Sequence, residues 1–189
     1  MNVKRKNDPE SVRLALLKSA AKLAEINGIS SVTLSATAEN AGVSKGALHY
    51  HFKNKDILLS EMSHYLLNKL DQDIKEQILS DPLGYGKFTR AYIHVVLSSA
   101  ESEKQIWSAL FSVMNDDSLN VHWTNWYETQ MGLYADTDSD IHLEVIRLAV
   151  CGMCLAIANC EYKNESIAAV KEQMLRMTIT NQSKTKDVL

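Results

Sequence analysis

Residues 31–59 read SVTLSATAENAGVSKGALHYHFKNKDILL, and this stretch decides the fold. Thr33 suits the N-cap of a helix that Gly42 stops about two turns later, and Ser44 suits the cap of a second short helix, KGALHYHF. Successive helical residues rotate by about 100°, so Leu48 and Phe52 fall on one side of that second helix. Gly46, His49 and Tyr50 fall on the other, flanked by Lys45 and Ala47. Ala38 supplies a small residue at the helix crossing, Gly42 the turn, and Val43 and Leu48 the apolar anchors, which is the pattern of a helix-turn-helix. An inward apolar pair with an outward donor-rich face is what a helix needs to read a nucleic-acid groove.

Working outward, the N-terminal flank is a helix over about 9–27, with Asp8 as cap, Pro9 at its first position and Gly28 as its stop. Val12, Leu16, Ala20, Leu23 and Ala24 lie on one stripe of it. On the other side Lys53 and Asn54 turn the chain into a long helix from Lys55 to about Leu79, ended by Asp81-Pro82-Leu83-Gly84. Helical periodicity then continues in five segments, at about 86–100, 102–115, 118–134, 139–161 and 165–179, with Ser102, Ser139 and Asn164 as candidate caps and ADTDSD (135–140) as the clearest loop. The 189 residues contain two prolines and seven glycines, and no stretch alternates with strand period. The expectation is an all-α chain of about nine helices: a three-helix head at 1–54 and a larger bundle at 55–189.

Charge divides the chain in the same place. Residues 1–55 hold nine Lys or Arg against four Asp or Glu, a balance of +5, and the net charge of −3 leaves −8 for the rest. A basic head suits a polyanion, and an acidic bundle repels one. Lys4, Arg5 and Lys6 fit either a basic arm reaching DNA or a solubilising terminus. No signal-peptide run follows the first residues, and LAVCGMCLAIA (148–158) is too short to span a bilayer, so a cytoplasmic protein is expected, without a membrane partner.

Cys151, Cys154 and Cys160 fall on one apolar segment, which fits small buried thiols rather than a disulfide framework; no further ligand cluster completes a zinc site. No cofactor is implied. A thiol enzyme is disfavoured for the same reason, and no paired carboxylates or phosphate-cradling loop suggest other catalysis.

SKGALHYHFKNKDILL (44–59) closely resembles the DNA-binding signature of the TetR family of one-component transcriptional regulators. The resemblance covers 9 to about 60 by sequence and reaches the C-terminal bundle by length and helix count alone. By matched position it implies phosphate contacts from Thr33, Ser44, Tyr50, His51 and Lys55, and base-edge or groove-floor contacts from Lys45, Gly46, Ala47 and His49. His49 stands where many relatives have Tyr, so the operator sequence does not transfer.

The resemblance also implies a small-molecule cavity and a four-helix dimer interface in the bundle. Phe88, Tyr92, Trp107, Phe111, Met114, Trp123, Trp126 and Tyr127 recur at helical spacing and fit either plain core or the wall of a site for an aromatic or lipophilic effector. Ala149, Gly152 and Ala156 share a small-residue face, and with Val170 and Met174 they are the expected seam of a homodimer. The function that follows is a repressor released from a pseudo-palindromic operator by its effector. A helical ligand- or partner-binding protein that does not read DNA is the alternative.

Overall fold

The computed structural model describes residues 8–98, 109–159 and 164–179, and among these every regular element is helical. Lys4, Arg5, Lys6, Ser102, Trp107 and Cys160 lie outside the described residues. The elements are α1 (Pro9–Asn27), a 3-10 turn (Ile29–Ser31), α2 (Leu34–Ala41), α3 (Lys45–His51), α4 (Lys55–Ser80) and α5 (Lys87–Val96). A helical stretch at 109–114 (α6) follows, then α7 (Asn120–Leu133), α8 (Ala135–Asp138), α9 (Ile141–Asn159) and α10 (Asn164–Met177). No described helix is long and apolar enough to cross a membrane.

The described residues form two compact units, 8–68 with 109–124, and 69–98 with 125–159 and 164–179, so α4 and α7 each contribute to both. In the first, α1 packs on α2 and α3, and α2 on α3. The caps are side chains named by the sequence: Asp8 accepts from Ser11 N–H at 3.2 Å, Thr33 from Ala36 at 3.1 Å, Ser44 from Ala47 at 3.2 Å and Asn54 from Ile57 at 2.8 Å. Each satisfies an amide that has no partner within its helix. Leu16, Ala20 and Ala24 of α1 are fully buried with Leu48 and Phe52, and Arg13 lies 5.8 Å over the Phe52 ring while pairing with Glu61 of α4. Later in the same unit, His122 of α7 meets His64 of α4 edge to face at 4.6 Å. Burial and that neighbouring imidazole hold His122 below the ordinary histidine range.

The second unit is built around α5, which packs on α8, α9 and α10. Gly86 precedes α5 with φ +71°, and a Cβ there would lie 3.1 Å from an Arg90 guanidinium nitrogen and 3.3 Å from Leu143. Glycine therefore solves a backbone and a space problem at once, but it has no side chain with which to cap the helix. Asp138 does this from a distance. Its carboxylate accepts from Phe88 N–H at 3.2 Å, Thr89 N–H at 2.8 Å and Thr89 Oγ at 2.7 Å. This corrects the reading of ADTDSD as a loop: four of its residues form α8, because a single helical turn brings Asp138 to the amides of α5. The start of α9 also differs from expectation. Asp140, not Ser139, caps it, accepting from His142 N–H at 2.8 Å.

Candidate nucleic-acid interface and effector region

In α2 the chain ends on a Schellman turn: Val43 N–H donates to Ala38 C=O at 2.9 Å, and Gly42 N–H to Glu39 C=O at 3.1 Å. Gly42 has φ +65°, the left-handed conformation this turn requires and other residues adopt only under strain. The turn aims α3. Leu48 is 1% exposed and faces inward with the buried Phe52, whereas Tyr50 is 79% exposed. Thr33, Ser44, Lys45, Gly46 and His49 are also exposed, and Ala47, His51 and Lys55 are half-buried. All nine expected DNA-contacting positions thus keep some solvent access on one compact head. A groove of about 190 Å³ runs between the start of α2 and α3, lined by Leu34, Ser35, Lys45, Leu48 and His49. Hydroxyls, amides at helix starts, a lysine and imidazoles on one face are groups that hold phosphates and base edges.

The expected effector residues divide between the units. Phe88 is fully buried in the second unit, and its ring lies 6.0 Å from Tyr92, 6.5 Å from Trp126 and 5.2 Å from Tyr134. Tyr127 is beside them in sequence, its hydroxyl accepting from Arg147 Nε at 2.9 Å. Phe111, Met114 and Trp123 are half-buried and belong to the unit that contains the head. Periodicity missed the polar centre of the second unit. Arg147 donates from Nη1 to Thr89 Oγ at 2.7 Å and to the Asp138 carbonyl at 3.1 Å, and that nitrogen lies 3.9 Å from the Asp138 carboxylate. The available signal was a lone Arg inside an apolar helix, because a buried charge needs a partner.

On α9 the expected seam residues Ala149 and Gly152 are exposed and Ala156 is half-buried; on α10 Val170 is half-buried and Met174 is buried within its own unit. The exposed large residues of α9 are Ile141, Val145, Leu148, Leu155 and Ile157. Ile141, Val145, Leu148, Gly152 and Leu155 follow one another at spacings of four and three, a single apolar stripe on one helix face.

Tyr92 and Cys151 share a hydrogen bond at 3.5 Å, and burial raises the Tyr92 hydroxyl well above the ordinary range. Burial, reinforced by Cys151, pushes the Cys154 thiol from 9.0 up to about 12. A thiol raised in this way is largely protonated near neutral pH, and the thiolate is the reactive form. With Cys151 and Cys160 replaced, native Cys154 is expected to react with iodoacetamide at pH 8 more slowly than in the denatured chain by about tenfold or more; comparable rates would show the thiol to be accessible and ionised. Among the described residues no group of three or more His, Cys, Asp or Glu could hold a metal ion.

Residues 16–62 match the family profile "Bacterial regulatory proteins, tetR family", and residues 86–179 match "Tetracyclin repressor-like, C-terminal domain". The HTH-type transcriptional regulator AcrR from Shigella flexneri is 31% identical over 105 residues, 54% of this chain and 48% of AcrR. The chain thus spans about half the length of the curated relative it matches. Among solved structures, a TetR-family regulator from Rhodococcus sp. superimposes with TM-score 0.74 at 18% identity, covering 89% of this chain and 98% of that one. The multidrug binding protein EbrR complexed with malachite green superimposes with TM-score 0.68 at 16% identity, covering 88% and 97%. At such identities these likenesses show the fold, whereas the two profiles span head and bundle in turn. The chain belongs to the TetR family of bacterial regulatory proteins.

Proposed function

We propose that the chain is a cytoplasmic, homodimeric repressor whose α3 enters the major groove of a pseudo-palindromic operator and which a small aromatic or lipophilic effector releases. The observation that carries this reading is the division of α3 into an inner face, Leu48 with Phe52 beyond its end, and an outer face of Lys45, Gly46, His49 and Tyr50. Residues 1–54 act as the DNA-binding domain, and 55–189 bind the effector and the second copy. Lys45 is the leading base contact, a donor suited to guanine, with Gly46, Ala47 and His49 beside it. Thr33, Ser44, Tyr50, His51 and Lys55 hold phosphates. The description of AcrR as a transcriptional regulator supports the DNA-binding part, and the dye bound to EbrR supports an aromatic ligand. An effector that binds better to a form unable to grip DNA lowers DNA affinity by the same coupling factor.

The test is a mobility shift on the region upstream of the protein's own gene, run with competitor DNA over a salt series. Specific binding with a steep negative salt slope is the expected result. Tyr50→Ala removes one phosphate hydrogen bond per head. At about 1 kcal/mol each, two heads amount to an affinity loss of tenfold or more, similar on every DNA sequence and without loss of stability. Undiminished affinity in the folded variant would remove α3 from the interface.

A further inference from the structure

Gln130 lies one turn after Trp126 on α7, and Tyr134, just past the end of that helix, donates its N–H to the Gln130 carbonyl at 3.0 Å. Both flanking rings lie against Phe88, and residues four apart drift by only about 40° around a helix. Gln130 therefore shares their inward face, and it is 4% exposed. Its Oε1 is buried and has no hydrogen-bond partner. Nearly all buried polar atoms in folded proteins are paired, because an unpaired acceptor loses its water and gains nothing. Leu or Met would fill a buried position on this face without that penalty, so burial alone does not account for an amide here.

We infer that Gln130 is a specificity residue for the effector, accepting a hydrogen bond from an aromatic ligand that carries one polar hydrogen. The rings of Phe88, Tyr92, Trp126 and Tyr134 supply the apolar contact, and the orphan carbonyl supplies direction.

This inference rests on the reading of the bundle as an effector site, and the experiment separates the two. Indole and 1-benzothiophene have nearly the same shape, but only indole has an N–H. Their affinities are measured by calorimetry on the full chain and on Gln130→Met. Indole is expected to bind the wild type about tenfold or more tightly than benzothiophene, and the preference is expected to fall within about twofold in the variant. Unliganded Gln130→Met is expected to melt about 2–4 °C higher, since the orphan acceptor is gone. Equal binding of both compounds to the wild type, or a preference that survives in Gln130→Met, would overturn the inference while leaving an effector site standing. Binding of neither compound would overturn both. A lower melting temperature in the variant would mean that the amide is satisfied structurally, and that too would overturn the inference.

Discussion

Asp138→Ala is expected to lower the melting temperature of the chain by about 10 °C. Asp138 is 1% exposed and has two duties. It caps α5 in place of the side chain that Gly86 lacks, and it faces the buried guanidinium of Arg147. Removing it strands two amides and an arginine that is itself buried. Breaking a buried charge pair from one side costs about 3–5 kcal/mol, and each kcal/mol shifts the melting of a chain of this size by about 2–4 °C. If the loss comes from the stranded charge, the double variant Asp138→Leu with Arg147→Met is expected to recover much of it, since apolar replacement of both partners is often close to neutral. The measurement is thermal denaturation of the two variants. A loss below about 1 kcal/mol in the single variant, or no recovery in the double, would show that the carboxylate does not hold α5, α8 and α9 together in this way.

Gly152→Arg is expected to abolish dimerisation and, with it, operator binding by two or more orders of magnitude. Gly152 sits within the stripe formed by Ile141, Val145, Leu148 and Leu155, and Leu148 alone is 62% exposed. A Cβ at Gly152 meets nothing within 4 Å in its own chain, so the arginine has room in the monomer and does not disturb folding. In the proposed dimer the same position faces the second copy, where a buried charge would have no partner. A monomer grips one half-site and forfeits the linked second contact, which is worth about 10²–10⁴ in effective affinity. Sedimentation and a mobility shift on the same sample check both parts. A folded Gly152→Arg protein that still sediments as a dimer would move the seam elsewhere on the molecule.

The head was largely legible from sequence because its elements are short and its decisions are local. Asp8, Thr33, Ser44 and Asn54 each cap the helix that they precede, and Gly42 makes its own turn within six residues. The inner and outer faces of α3 follow from a 100° rotation alone. The bundle was less legible because its decisions are long-range. Asp138 acts on amides about fifty residues earlier in the chain, so a string of Asp, Thr and Ser read as a loop although it carries a cap. Apolar periodicity marked the aromatic residues of α5 and α7 but not which of them share a compact unit. It also passed over Gln130, since a polar residue at an inward position looks like an error in the pattern until its surroundings are known. On α9 nearly every residue is apolar, so composition could not tell the covered side from the bare one. The buried Leu143, Ile146 and Val150 and the bare Ile141, Val145 and Leu148 differ only in what packs against them.

The two-faced construction of α3 also bears on how such a regulator diverges. Leu48 and Phe52 hold the helix in place, and Gly42 sets its angle, while the side chains at 45, 46 and 49 have almost no packing duty. Substitutions at those three positions therefore leave folding nearly untouched, and if they read bases as proposed, a duplicated gene can drift to a new target sequence without passing through an unstable intermediate.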